Sequence, residues 1–284
     1  MPIKDIFFPM ISYPVPPPPV AVEKAIGLAV GLQAQISGLT FEINIRSPVG
    51  IYADLPEIAE KLDAEAKKSV VNAHDLVALF TDVATRQNAI SEHSVEQCMP
   101  AELSSRLAEH ARLRDLTVFP LREADQHSRG IVEAVIFESG RPILLLPEIT
   151  KRPLPLAINR VAVAWDNSRT ATRAVADGLP FLQAAKQVHI FTVIDDESFE
   201  RPQSIAGLCD HFARHGVDTT FAMVRSTGRT IGSVLETYVM EHEIDLLVMG
   251  AYGHSRFREF FLGGAPKASF SVRSPGHCYR IDSG

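Results

Sequence analysis

The sequence predicts an α/β protein that contains two tandem doubly wound, mainly parallel sheets of five strands each. Short apolar runs alternate with amphipathic segments along nearly all of the 284 residues, and a stretch with several prolines and charges interrupts this pattern near the middle. Parallel neighbouring strands need a crossover connection, so this alternation places helices on both faces of a sheet. We expect domains at 1–148 and 158–284, joined by a linker at 149–157.

The first half follows the alternation less regularly than the second. Its strands are expected at 3–10, 36–45, 115–121 and 142–147, with a weaker candidate at 89–97. Its helices are expected at 20–34, 55–86, 101–113 and 130–139. The long helix at 55–86 carries Leu55, Ile58, Leu62 and Ala66 on one face, which is the spacing of an amphipathic helix.

The second half is more regular, but its end is unusual. Strands are expected at 160–165, 187–194, 218–224 and 246–249, and helices at 170–185, 205–215 and 230–243. The residues after the first strand, Asp166, Asn167 and Ser168, are of types that cap helix N-termini. The chain ends in SVRSPGHCYRIDSG, which is polar and short, so the fifth strand of this sheet is expected to be weak or missing.

The charge and the cysteines exclude several classes of function. A net charge of -6 and a pI of 5.9 argue against nucleic acid or an anionic membrane surface as the main partner. Cys98, Cys209 and Cys278 are far apart, so neither a disulfide framework nor a zinc site is predicted, and we expect a cytoplasmic protein. His211 and His215 share a helix without a third ligand and are expected at the surface. No apolar run approaches the roughly 18 residues of a membrane span.

A glycine-rich stretch follows the fourth strand of the second half. It reads VMGAYGHSRFREFFLGGAP and has the spacing G-x2-G-x9-G at Gly250, Gly253 and Gly263. Glycines in a strand-to-helix loop let main-chain N–H groups approach an anion, and ligands of doubly wound sheets bind beyond the carboxyl ends of the strands. Neither GxxxxGK[ST] nor GxGxxG occurs, which argues against those two kinds of phosphate loop.

This loop, together with VAVAWDNS at the first strand of the second half and FTVIDD at the second, resembles the universal stress protein family. The resemblance extends to a tandem member with two such domains and implies Rossmann-like sheets of the adenine nucleotide alpha hydrolase type. It also implies that the second domain binds ATP or a related adenine nucleotide, with Asp166 and Val193 at the adenosine and the glycine loop at the phosphates. The implied binding residues are Ala164, Trp165, Asp166, Val193, Met249, Gly250, Gly253, Arg256, Gly263, Gly264 and Ala265.

Both halves depart from the family's pattern. Gly264 stands where the family has serine or threonine, so one hydroxyl contact to phosphate is lost and ATP binding is expected to weaken by about ten- to a hundredfold. The first half has no acidic residue after its first strand and only Gly130 after its fourth, so we expect it to bind no nucleotide and to serve as a structural or interaction half. A weak final strand would also affect the edge through which domains of this family pair.

Simpler alternatives exist for the implied contacts. Asp166 is equally suited to be the N-cap of the helix that follows it. Arg256 and Arg258 lie in the loop and suit either a phosphate or a solvated surface. A tight strand-to-helix turn without a ligand would also account for the glycines.

The expected function is regulatory rather than catalytic. No nucleophile beside a base and no GxSxG motif is found, so slow ATP hydrolysis with Mg²⁺ is the most that we expect. The alternatives are a nucleotide-free stress-response scaffold and an adenylate-forming enzyme, although no loop rich in serine and glycine follows the first strand of either half. The expected partners are an adenine nucleotide, an unidentified protein, the other domain of the chain and, as a candidate, a second copy in a homodimer, with neither nucleic acid nor membrane among them.

Overall fold

The computed structural model describes residues 2–45, 56–122, 126–147, 158–194, 203–251 and 279–282. The elements of the first half are β1 (Asp5–Met10), α1 (Pro19–Leu32), β2 (Gln35–Ile43), α2 (Pro56–Arg86), β3 (Ser91–Cys98), α3 (Leu103–Arg112), β4 (Leu116–Leu121), α4 (Gln126–Ser139) and β5 (Ile143–Pro147). Those of the second half are β6 (Arg160–Ala164), α5 (Arg169–Ala184), β7 (Gln187–Ile194), α6 (Gln203–Arg214), β8 (Thr219–Arg225), α7 (Ile231–Glu241), β9 (Leu246–Met249) and β10 (Tyr279–Asp282). Every expected strand and helix is therefore present, and the α/β prediction is confirmed.

The ten strands form one sheet in the order β3-β2-β1-β4-β5-β10-β9-β6-β7-β8. All neighbours within each half are parallel, whereas β5 and β10 pair antiparallel where the halves meet. Each half thus has the same strand order, read inward from its own outer edge. Because the direction reverses at this junction, the carboxyl ends of the two sets of strands lie on opposite edges of the sheet.

The end of the chain forms a strand of four residues, so the fifth strand, expected to be weak or missing, is present but short. Residues 279–281 pair with Leu246, Leu247 and Val248 on one side, and residues 280–282 pair with β5 on the other. A strand between two neighbours obtains main-chain hydrogen bonds on both edges, and these bonds do not depend on an apolar sequence. The edge through which the halves meet is consequently present.

The apolar core extends along the sheet across both halves of the chain. One apolar cluster on a single face contains Ile26 of α1 and Leu144 of β5 together with Ala174 of α5 and Val248 of β9. The opposite face has two separate clusters: one lies in the second half, and the other combines residues of the first half with Ala251. The proposed domain boundaries stay a prediction, because 148–157 lies outside the described residues.

The helix α2 joins this core only from Ser69 onward. Ser69, Ala73, Leu76 and Phe80 are buried, whereas no side chain at 57–68 is buried and Ile58 is 37% exposed. The apolar face expected near the start of α2 therefore extends beyond the sheet. Leu55 lies outside the described residues.

Equivalent positions in the two halves can be identified from one repeated contact. A carboxylate oxygen of Asp115 accepts hydrogen bonds from the two N–H groups that open β1, at 2.9 and 3.1 Å. An oxygen of Asp245 does the same at β6, at 2.7 and 2.8 Å. Asp5 and Arg160 are thus equivalent, and they pair with equivalent residues that open β2 and β7.

Candidate functional site

The predicted site lies at the carboxyl edge of the second half, where β6, β7 and β9 end side by side. Ala164, the last residue of β6, pairs with Phe191 of β7 and with Met249 of β9. The described predicted residues are Ala164, Trp165, Asp166, Val193, Met249 and Gly250, and the structure brings all of these to this edge. The other predicted residues, Gly253, Arg256, Gly263, Gly264 and Ala265, lie outside the described residues, as does Arg258.

The chain leaves β6 through a segment that is bonded to β7. The N–H of Trp165 donates to the carbonyl of Phe191 at 2.9 Å. The hydroxyl of Thr192 donates to the carbonyl of Trp165 at 2.8 Å, and this bond is buried. The Trp165 side chain is itself buried, and its indole Nε1 has no hydrogen-bond partner in the described part of the chain. Sequence reasoning missed Thr192, because a threonine in a strand carries no signal of the partner that it will meet.

Asp166 is exposed and shapes the turn into α5 without capping the helix. Its Oδ1 accepts a hydrogen bond from the N–H of Ser168 at 3.0 Å, and Asn167 between them has a left-handed φ of 61°. The N-cap is Ser168, whose hydroxyl oxygen accepts from the N–H of Ala171 at 3.0 Å. The alternative in which Asp166 is the N-cap is therefore wrong. Its second carboxylate oxygen lies in an exposed side chain, where it can accept hydrogen bonds from a ligand.

Gly250 allows the end of β9 to contact the start of α5. A Cβ at this position would lie 2.5 Å from the main-chain nitrogen of Ala171 and 2.5 Å from the carbonyl carbon of Thr170. The φ of Gly250 is not positive, so the backbone conformation does not require a glycine here. The close approach of α5 does. The contact places the N-terminus of α5, with its positive dipole end, beside Gly250, the first glycine of the predicted loop.

The remaining described site residues form an apolar wall. Met249 is buried on the face covered by α7, and the half-buried Ala164 and Val193 pack against the same cluster. Asp166 thus lies next to an apolar surface on one side and the N-terminus of α5 on the other. This arrangement suits a ligand that combines a flat apolar part, hydroxyl groups and an anionic tail.

The described residues offer neither a metal centre nor a membrane helix. They contain no group of three or more histidine, cysteine, aspartate or glutamate side chains that could hold a metal ion. The rings of His211 in α6 and of His215 just after this helix lie 4.6 Å apart, and both residues are exposed. Among the described helices, none combines the length and apolar character needed to cross a bilayer.

The equivalent edge of the first half is filled by its own side chains. Counted from the paired starts of the strands, Ile11 stands at the position of Asp166, and the fully buried Phe41 at that of Val193. Ser12, also buried, bonds to the carbonyl of Phe41 and lies 2.8 Å, oxygen to oxygen, from the hydroxyl of Ser69 in α2. The amide of Asn72 in α2 donates to the carbonyl of Ser12 at 2.8 Å. The middle of α2 thereby lies across the ends of β1 and β2.

Solved structures share this architecture. No protein-family model matches the sequence, and no curated protein is significantly similar to it. A universal stress protein from Archaeoglobus fulgidus DSM 4304 matches with a TM-score of 0.65 and 14% identity, over 98% of this chain and 96% of that one. The chain has the universal stress protein fold. A functionally unknown protein from Pseudomonas aeruginosa PAO1 matches with a TM-score of 0.52 and 12% identity, over 99% of this chain and 92% of that one.

The sequence resemblance is thus confirmed for the universal stress protein fold over nearly the whole chain. At such an identity the likeness concerns the fold, and a ligand has to be inferred from the site residues themselves.

Proposed function

We propose that this chain acts in the cytoplasm as a universal stress protein that binds ATP or a related adenine nucleotide in its second half. The observation that carries the proposal is the exposed carboxylate of Asp166, between an apolar wall and the N-terminus of α5. Asp166 accepts hydrogen bonds from ribose hydroxyls, and the base lies against Ala164, Val193 and Met249. The phosphates extend toward the glycine loop, and Mg²⁺ bound to them offsets their charge.

The bound nucleotide has a regulatory role in this proposal. None of the described residues at the site pairs a nucleophile with a general base, which supports nucleotide occupancy as the signal and hydrolysis as a slow side reaction. The first half, whose equivalent edge is filled by Ile11 and Phe41, contributes structure or a surface for a protein partner. A stress-response output is what the shared fold suggests.

Calorimetric titration of the full chain with ATP and Mg²⁺ tests both parts of the proposal. We expect one nucleotide per chain, because among the described strand ends only those of the second half present an exposed carboxylate beside apolar residues. The single tryptophan, Trp165, precedes Asp166 directly, so its fluorescence gives a second signal at the site. At an ATP concentration a hundred times the Kd, stability should rise by about 2.7 kcal/mol. No heat, no fluorescence change and no stabilisation would reject nucleotide binding, and a stoichiometry of two would reject the assignment to one half.

A nucleotide-free scaffold is the second candidate, and the packing of Gly250 favours it. The contact with α5 explains this first glycine of the motif without any ligand. Titration with ATP separates the two candidates directly, because the scaffold predicts no binding at any concentration used.

A further inference from the structure

Equivalent threonines in β2 and β7 differ in what their hydroxyl groups contact. Thr40 and Thr192 occupy the same position counted from the paired starts of the strands. Thr192 is 7% exposed, and its hydroxyl donates to the carbonyl of Trp165 at 2.8 Å. Thr40 is fully buried, and its hydroxyl has no hydrogen-bond partner in the described part of the chain. In the second half, which exposes a carboxylate, this threonine therefore bonds to the residue that follows β6. In the first half, the equivalent threonine has no such bond among the described residues.

The Thr192 bond acts on the peptide group that leads into Asp166. The carbonyl of Trp165 and the N–H of Asp166 belong to one planar unit, so a bond that fixes the carbonyl also fixes the direction in which residue 166 leaves the strand. The N–H of Trp165 is held at 2.9 Å by the carbonyl of Phe191. Residue 165 is thus bonded to β7 through both of its main-chain polar groups, and residue 166 begins from a fixed position.

The side chain of Asp166 is held by a hydrogen bond as well. Its Oδ1 accepts from the N–H of Ser168 at 3.0 Å, and Ser168 is the N-cap of α5. The carboxylate is therefore held from two directions: through its main chain by Thr192 and through its Oδ1 by the first residue of the helix cap. This leaves the other oxygen available on the exposed side.

We propose that Thr192 is a positioning residue of the second-half site, whose hydroxyl holds the peptide group before Asp166 and thereby holds the carboxylate where the adenosine binds. This inference rests on the proposed function for its ligand. It assigns to Thr192 no contact with the nucleotide. Its effect should therefore be confined to the adenosine end of the site and should require Asp166.

Binding measurements on variants of the full chain test this division. Thr192→Val keeps the shape of the side chain but removes the hydroxyl, and it should weaken ATP binding about three- to tenfold. Thr192→Ser keeps the donor and should restore the affinity. Inorganic tripolyphosphate, which lacks adenosine, should bind wild type and Thr192→Val equally, whereas a general loss of structure would weaken both ligands. Thr40→Val is the matched control, since that hydroxyl has no described bond to lose.

A double-mutant cycle identifies the partner through which Thr192 acts. In an Asp166→Ala background, Thr192→Val should change ATP affinity by less than about twofold, because there is no carboxylate left to position. Equal effects of Thr192→Val with and without Asp166 would overturn the inference. Equal losses of ATP and tripolyphosphate affinity would overturn it as well.

A measurement without nucleotide separates this inference from the proposed function. Amide hydrogen exchange at Ser168, whose N–H is bonded to Asp166, should accelerate in Thr192→Val and not in Thr192→Ser or Thr40→Val. Unchanged exchange in Thr192→Val would overturn the positioning role. If the exchange rates follow this pattern but the wild-type chain binds no ATP, the proposed ligand is rejected. The role of Thr192 in holding residue 166 then still stands.

Discussion

The two carboxyl edges of this sheet share a strand order but differ in what occupies them. In the first half, Ile11 and the buried Phe41 extend the core to the ends of the strands, and α2 is bonded across them through Ser12 and Ser69. In the second half, Asp166 is exposed and Val193 is only half buried. A few side chains at the strand ends therefore separate a closed edge from an open one, although the main-chain frame is common to both.

Gly250→Ala should give the largest effect, because it disturbs the contact on which the open edge is built. The added methyl group would lie 2.5 Å from main-chain atoms of α5, which cannot move without displacing the helix. We expect a loss of about 3 kcal/mol in the free energy of unfolding. Urea denaturation measures it. Gly130→Ala in α4 is the control: nothing lies within 4 Å of the added group, so a helix-stabilising gain of about 0.5–1 kcal/mol is expected. Equal effects of the two changes would refute the packing role of Gly250.

Asp166→Ala should remove the carboxylate that distinguishes the open edge from the closed one, without affecting the fold. Loss of a hydrogen bond that involves a charged group should reduce ATP affinity about ten- to a hundredfold. Calorimetric titration measures the change, and Asp218→Ala, another exposed aspartate of the same half, is the control. An affinity that is the same in Asp166→Ala and wild type would place the adenosine elsewhere.

Ser12→Ala should open the closed edge at a moderate cost in stability. The change removes the hydroxyl that bonds to Phe41 and Ser69, so two buried hydrogen bonds are lost. A loss of about 1–3 kcal/mol is expected from thermal or urea unfolding, with ATP affinity unchanged. Ser105→Ala on the exposed face of α3 should change stability by less than about 0.5 kcal/mol. Altered ATP affinity in Ser12→Ala would contradict the independence of the two edges.

The smallest effect concerns His189, which lies in the second half toward the edge opposite the site. Its ring is 5.6 Å from that of His242, and the Tyr238 hydroxyl lies 3.5 Å from its Nδ1. Burial, with smaller contributions from His242 and Arg160, lowers the pKa of His189 from its ordinary value of 6.5. The unfolded chain therefore binds the proton more readily, so stability is lost as the pH falls below about 6.5.

A His189→Gln variant isolates this contribution. Urea unfolding at pH 7.5 and pH 5 should show that the stability of the wild type relative to His189→Gln decreases with acidification. A constant difference between the two proteins across this range would show that His189 titrates alike in the folded and unfolded states.

Local periodicity was sufficient to predict the strands and helices of both halves. The expected β7 at 187–194 and β9 at 246–249 have the bounds observed, since short apolar runs between polar segments have few other ways to be buried. Asp166 was located by its position after β6, but whether it caps α5 was undecided. The sequence offers three consecutive residues of capping types, and the choice among them depends on the φ of Asn167 and on which N–H each side chain reaches in the turn.

The sequence by itself determined the order of the elements, the lack of an acidic residue after the first strand of the first half and the chemical types of the residues that follow each strand. Tertiary structure alone decided that β10 joins the two halves, that Gly250 is required by α5 and that Thr192 is bonded to Trp165. The physical reason is the range of the interactions. Periodicity and capping preferences act within a few residues, whereas these contacts join segments far apart in the chain, and their partners are defined only once the sheet has formed.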